Sequence, residues 1–440
     1  MAWNRYSRGG RRGDHVRRAR GPQPRRQGRV GHSTAHGRGR FIVTAEAIIV
    51  GGGLVGALTA LLLGQQGRRV ALVERSRPNR EVGELGVDLR NVAISPASAA
   101  LLDQAGVWDA SRSAAYTEMR VWEERGTGEV AFTAASVGRE ELGWICENSR
   151  LLEALWAALD AIRNVSVHVG DEIQDVAVGP AEARLALPGE TLVGRLLIGA
   201  DGGRSLVRSA LNVGLADTPT GHCALATVVR IGNGHAGIAW QRFLLEGPLA
   251  VLPSSDPHLA SVVWSQSPEA AGRRRDMDAQ AFCAELEASL EHRLGRVEVV
   301  DRRVVFPISQ LLVENFNPVP RALLIGDAAR VIHPLAGLGA NVGFEDVRAL
   351  VKTAQGVPVD GDLGAQGTWS GFARRRRARA QFMLGLMTVF RRTYAAKSPL
   401  SHLLRNTGVS LFDRSGWVKQ QFIREALGVG QAAGPLTRSW

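Results

Sequence analysis

Gly51, Gly53 and Gly56 form a G-x-G-x-x-G run inside "AIIVGGGLVGALTALLLGQQGRRVALVER", and Glu74 closes the next apolar stretch. In this spacing the first glycine permits a tight turn, the second lets the backbone approach a pyrophosphate, and the third lets helix and strand pack closely. The helix N-terminus then faces the phosphates, and the carboxylate holds a pair of ribose hydroxyls. Glu74 repels a ribose 2′-phosphate, so these residues predict FAD or NAD and exclude NADP. Two more carboxylates directly follow apolar runs: Asp201, with Gly202, in "RLLIGADGGRSLVR", and Asp327 in "RALLIGDAA". Each reads as a strand and then a turn, which places the acid at the carboxyl edge of a sheet, where open α/β folds bind ligands. Capping of its own turn is the other duty open to each.

Those residues need a frame to hold them. "AIIV" and "VALVE" read as strands joined through an amphipathic helix. The stretch 118–132 reads as a hairpin around Arg125-Gly126-Thr127-Gly128, and "LATVVRI", "AWQRFLL", "LAVLP" and "ASVVW" predict a second, antiparallel sheet. Trp240, Phe243 and Leu252 from that sheet are candidate pocket lining or ordinary core. From Trp369 onward, "FARRRRARAQFMLGLMTVFRRTYAAK" and the stretch after it predict helices with basic and apolar faces. Such helices could cover the first domain, form a dimer face, or rest on an anionic membrane.

The chain has 440 residues, 45% of them hydrophobic, enough for two domains around a large core. Its net charge of +12 is concentrated in residues 1–40, which hold twelve Arg and one acid and so carry +11. That segment lacks apolar periodicity and is expected to be disordered. No aromatic platform or reading helix follows it, so nucleic acid is not an expected partner. An enzyme N-terminus near Val43 fits the letters better than a start at Met1. The uncharged run 47–64 is interrupted by glycines and reads as strand, turn and helix rather than a membrane span. Three scattered cysteines argue against a disulfide framework and a zinc site, and point to a reducing, cytoplasmic compartment.

Taken in order, "GGGLVG", "GADGGRSLVR" and "GDAARVIHPLAGLGANVGFED" resemble the flavoprotein aromatic hydroxylases typified by p-hydroxybenzoate hydroxylase. "HPLAGLGANVGFED" is most similar to the signature of the ubiquinone-biosynthesis hydroxylases, as are "DLRNVAISPASAALLDQAGVW", "GWICENSRLLEAL" and "WQRFLLEGPLAVLP". The resemblance covers almost everything between residues 45 and 430. It implies an α/β fold: a Rossmann-like FAD-binding domain (43–117, 142–218 and 315–370), an inserted antiparallel-sheet substrate domain (118–141 and 219–314) and C-terminal helices (371–430), behind the basic tail 1–42.

Carried over by residue, the resemblance implies that Gly51, Gly53, Gly56 and Glu74 hold the ADP half of FAD. It places Arg90 near the flavin and its phosphates, links Asp201 and Gly202 to FAD and the nicotinamide reductant, and sets Asp327 on the ribityl chain. Pro334, Gly337, Gly339, Ala340 and Asn341 would wrap the isoalloxazine ring, with backbone N–H groups at a helix N-terminus facing its negative edge. The implied reaction is hydroxylation of a polyprenylated phenol by oxygen, through a flavin hydroperoxide, with electrons from NAD(P)H or a protein donor. No side chain is assigned as a catalytic nucleophile or base, because the organic chemistry belongs to the cofactor. Implied partners are the prenylated phenol and molecular oxygen, with peripheral contact at the inner membrane surface, a second copy, or other quinone-biosynthesis enzymes. A small soluble aromatic substrate and a non-catalytic, flavin-bound subunit are the rival readings.

The chain departs from the family pattern at Arg330, where His is usual, and at Leu338, where Gln is usual. Arg330 is expected to face solvent, as arginines commonly do. His333 is expected to pack within its loop rather than act as a base.

Overall fold

The computed structural model describes residues 41–395 apart from 81, 125–128, 333–338 and 360, with side chains except at 217–219 and 386–395. The apolar run ending at Val50 forms the strand Phe41–Val50, buried from Ala45 onward. It pairs in parallel with Val70–Glu74 on one side and with Glu190–Gly199 on the other. Val165–Val169 extends the sheet beyond Val70–Glu74, and Ala322–Leu324 pairs with the end of Glu190–Gly199, both in parallel. Asp175–Val178 and Ala183–Leu187 finish it as an antiparallel meander. The parallel strands aim their carboxyl ends at one edge. Gly51, Glu74, Asp201 and Asp327 lie at or just past those ends, so strand direction alone gathers them.

The helix Leu54–Gln65 was expected to be amphipathic. Instead it is buried without interruption from Gly56 to Gly64. The helices Asn148–Ala161 and Gly339–Gln355 pack on it in addition to the sheet, leaving no face for water. Arg68, just beyond it, is fully buried and balanced: it pairs with Glu46 at 3.0 Å and donates to the carbonyls of Ala354, Val357 and Pro358. A cation at those carbonyls closes the C-terminus of Gly339–Gln355, where the helix dipole is negative.

Among the described residues the second sheet has nine strands. Its main path runs Arg330–Val331, Val304–Val313, Leu215–Ile231, Leu259–Gln266, Gly247–Pro253, Ile238–Leu244, Glu118–Glu123 and Glu129–Thr133, with Val297–Val300 pairing to Leu215–Ile231. The pairing is antiparallel except where Ile238–Leu244 meets Glu118–Glu123. Two helices absent from the sequence reading, Pro268–Asp276 and Ala279–Ser289, follow this run. Their start signals were visible, since Ser267 and Asp278 accept from the N–H groups of Ala270 and Ala281. Phe282 and Leu286 pack on the sheet against Leu249, Val262 and Trp264.

Trp240 belongs to that core, edge-on to Trp122 at 5.9 Å, so it does not line a pocket. Leu252 is enclosed with Ala93, Ala114 and Ile145. Phe243 alone of the three is half-buried, on the opposite face from Trp240. Asn91–Ile94, Gly143–Glu147 and Ala114–Tyr116 form a third, small sheet. The basic run becomes the helix Ser370–Ala395. Among the described residues, no helix is long and apolar enough to cross a membrane.

Candidate active site

The glycine turn is tight for reasons its neighbours impose. Gly51 sits at φ +103°, and a Cβ there would lie 2.4 Å from the Ala200 carbonyl oxygen. A Cβ on Gly56 would meet the Gly51 oxygen at 1.8 Å. Gly53 differs, because nothing lies within 4 Å of the position its Cβ would take. It caps the helix Leu54–Gln65 without a side-chain acceptor, and no acid occupies the first turn. The helix therefore presents free N–H groups and positive dipole to an anion. Glu74 accepts from the Gly52 N–H at 2.5 Å and from the Arg75 N–H at 2.8 Å, which fixes its carboxylate beside the turn. Trp156, which the sequence reading left unassigned, donates to the Gly52 carbonyl at 2.9 Å and locks the following peptide of the same residue.

Asp201 has a capping duty. It accepts from the Ser205 hydroxyl at 2.5 Å and from the N–H groups of Leu206 and Val207 at 2.7 and 3.1 Å. Gly202 follows at φ +81°, the left-handed region this turn requires. Arg208, also unassigned from sequence, is buried. It donates to the Gly203 carbonyl at 2.7 Å and to the Ala328 carbonyl at 2.9 Å, joining the second motif to the third.

The third motif contains the clearest correction. Arg330 is buried at 3% exposure, not solvent-facing. It contacts Asp346 at 2.5 Å and donates to the Val342 carbonyl. Asp346, fully buried, also accepts from Arg376 at 2.5 Å and from the Gly326 N–H at 2.9 Å. An isolated buried carboxylate is unfavourable, so Asp346 draws Arg330 inward. The acid–arginine cluster thus holds the Gly326–Asp327 turn from behind. Asp327 itself opens to solvent from a crowded recess. Crowding pushes its carboxyl pKa upward, Arg330 opposes this and Asp346 adds to it. Gly326 and Gly343 both face Val55, with would-be Cβ contacts at 3.2 and 2.5 Å, so this motif closes on the helix of the first.

Arg90 is exposed, and its guanidinium has no partner among the described residues. Asn341 is buried and spent on structure: it accepts from the Ser95 N–H at 2.9 Å and donates to the Ala93 carbonyl at 2.7 Å. Gly339 is exposed and starts the helix Gly339–Gln355, with Ala340 half-buried behind it. Pro334 and Gly337, with His333 and Leu338, lie outside the described residues.

These residues fit a dinucleotide whose pyrophosphate meets the helix N-terminus at Gly53 and whose ribose meets Glu74. Three carboxylate-bearing turns at one sheet edge extend that fit to a longer cofactor than a mononucleotide. The chain matches the FAD binding domain family over residues 44–357 and belongs to it. It is an FAD-dependent aromatic monooxygenase. It is 34% identical to the 3-demethoxyubiquinol 3-hydroxylase of Escherichia coli (strain K12), covering 87% of this chain and 98% of that protein. It is 30% identical to the ubiquinone hydroxylase UbiL of Rhodospirillum rubrum, over 87% and 90% of the two chains. The crystal structure of p-nitrophenol 4-monooxygenase PnpA from Pseudomonas putida DLL-E4 shares the fold, with a TM-score of 0.71 at 19% identity, covering 88% of this chain and 98% of that one. Residues 299–436 also match the squalene epoxidase family.

Proposed function

We propose that this chain hydroxylates the aromatic ring of a polyprenylated phenol on the route to ubiquinone. The observation that carries the reading is the meeting of the Gly51–Gly56 turn with Glu74 and of the Asp201 and Asp327 turns at one sheet edge, each tied to the next by buried contacts. The relatives named for ubiquinone hydroxylation supply the substrate class. Bound FAD supplies oxygen activation, with electrons from NAD(P)H or a protein donor. Gly51, Gly53, Gly56 and Glu74 hold its ADP half, Asp327 its ribityl chain, and the Asp201–Gly202 turn supports both cofactor and reductant. Arg90 adds a free cation for the phosphates. The N–H groups opening the helix at Gly339, Ala340 and Asn341 face the cofactor's negative edge, and no proton shuttle from a side chain is required.

The domain division at 118–141 and 219–314 assigns the second sheet to the substrate. The helix Ser370–Ala395 is assigned to an anionic lipid surface. Arg374, Arg375 and Arg377 are exposed there, Phe382 is 57% exposed, and a groove of about 570 Å³ runs between Arg374, Arg377, Asn315 and Asn317. Complementation of strains lacking single ubiquinone hydroxylases, with the accumulated prenylated intermediate identified, tests the main reading. Restored ubiquinone supports it, and failure in every such strain with the protein expressed contradicts it. Co-sedimentation with phosphatidylglycerol vesicles but not phosphatidylcholine vesicles tests the surface.

A further inference from the structure

The second sheet has one face under the helices Pro268–Asp276 and Ala279–Ser289, and register fixes what the other face carries. Near Met119, Ala239 and Leu252 that face is roofed by Ala93, Ala114, Ile145 and Tyr116. The adjacent row is Val121, Gln241, Ala250 and Val263, paired across four strands. Val121, Ala250 and Val263 are half-buried, while Gln241 is only 5% exposed. Ser265 lies two residues beyond Val263, on the same face, and is 3% exposed. Neither the Gln241 amide nor the Ser265 hydroxyl has a hydrogen-bond partner among the described residues. They are not enclosed either, unlike the sealed Trp240 Nε1 and Gln266 Nε2 on the helix-covered face.

A nearly buried amide in an apolar row is unfavourable without a partner, so a partner from outside the chain completes it. We infer that Gln241 and Ser265 bind the oxygen substituents of the aromatic substrate, over an apolar floor of Val121, Ala250 and Val263. The inference rests on the hydroxylase reading and gives it residues. An amide both donates and accepts, so Gln241 can meet a ring hydroxyl or an ether oxygen. A site built this way discriminates strongly against an analogue lacking the oxygen, because the amide is then left unpaired.

The test is a titration of FAD-loaded protein with 2-geranylphenol and with geranylbenzene, followed by the change in flavin absorbance. The native protein should bind the phenol about tenfold more tightly. Gln241→Met should bring that ratio close to one while geranylbenzene binding is retained, and Ser265→Ala should lower it partly. A ratio unchanged by both variants, or a native ratio of one, overturns the assignment. Failure of the native protein to take up FAD would instead overturn the hydroxylase reading, and loaded protein that binds neither ligand overturns the assignment of substrate and residues together. Flavin content of each variant reports whether it has folded.

Discussion

The buried guanidinium of Arg208 donates to the main-chain oxygen of Ala328 at 2.9 Å, across 120 positions of sequence. Its other nitrogen holds the Gly203 carbonyl. One side chain therefore sets the spacing between the Asp201 turn and the Asp327 turn, which the two strands alone fix only along the sheet.

Arg208→Met keeps the bulk and removes both donors. Loss of hydrogen bonds from a charged group to buried carbonyls should destabilise the protein by about 2–3 kcal/mol. Urea unfolding should show this, with faster flavin release from the native state. Equal stability and equal release would contradict the bridging role.

The glycines separate cofactor space from packing space. Gly56→Ala places a Cβ against the Gly51 oxygen, so both stability and flavin uptake should fall. Gly53→Ala meets open space in the protein, so thermal stability of the flavin-free form should hold while flavin affinity falls at least tenfold. Isothermal titration beside thermal melts distinguishes the two, and Gly53→Ala with native affinity would remove the pyrophosphate from this turn.

The readable part of the molecule was the part governed by local spacing. Gly51, Gly53, Gly56 and Glu74 announce a strand–turn–helix–strand because backbone sterics fix those positions within one short stretch. Strands such as Gly247–Pro253 and Leu259–Gln266 were equally legible from apolar alternation. Arg330 misled because exposure is the usual fate of arginine, and its partner Asp346 lies about two turns along the helix Gly339–Gln355, whose inward face cannot be told without Arg376. Trp240 stayed open between pocket lining and core because a strand pattern does not say which sheet face meets a helix, and the structure places it in the core. With Asp346 paired to it, Arg330 is an integrated structural cation rather than a solvated turn residue.

Asp346→Ala would leave Arg330 and Arg376 buried without their shared carboxylate. A loss of about 3–5 kcal/mol is expected. Asp346→Asn, which keeps an acceptor for the Gly326 N–H, should recover part of it. Guanidinium unfolding of the three proteins gives the comparison, and a neutral Asp346→Ala would show that the cluster does not hold the turn.

Cys146 is buried, and burial pushes its thiol from 9.0 up to about 11, against the opposing effect of its hydrogen bond to the Ser113 hydroxyl at 3.0 Å. The folded state favours the neutral thiol. The stability this adds is present below pH 9.0 and is lost as pH rises toward about 11. Iodoacetamide at about pH 8.5 should leave Cys146 unmodified in the native protein and alkylate it after denaturation. Cys146→Ala should lose stability less steeply across the alkaline window. Rapid native alkylation would contradict the burial.

The most direct measurement is the identity and stoichiometry of the nucleotide released from the purified protein, read with its absorbance spectrum. The arrangement of the three turns predicts one FAD per chain, bound at purification or taken up on loading. A colourless protein that cannot be loaded with FAD would contradict the monooxygenase account at its base.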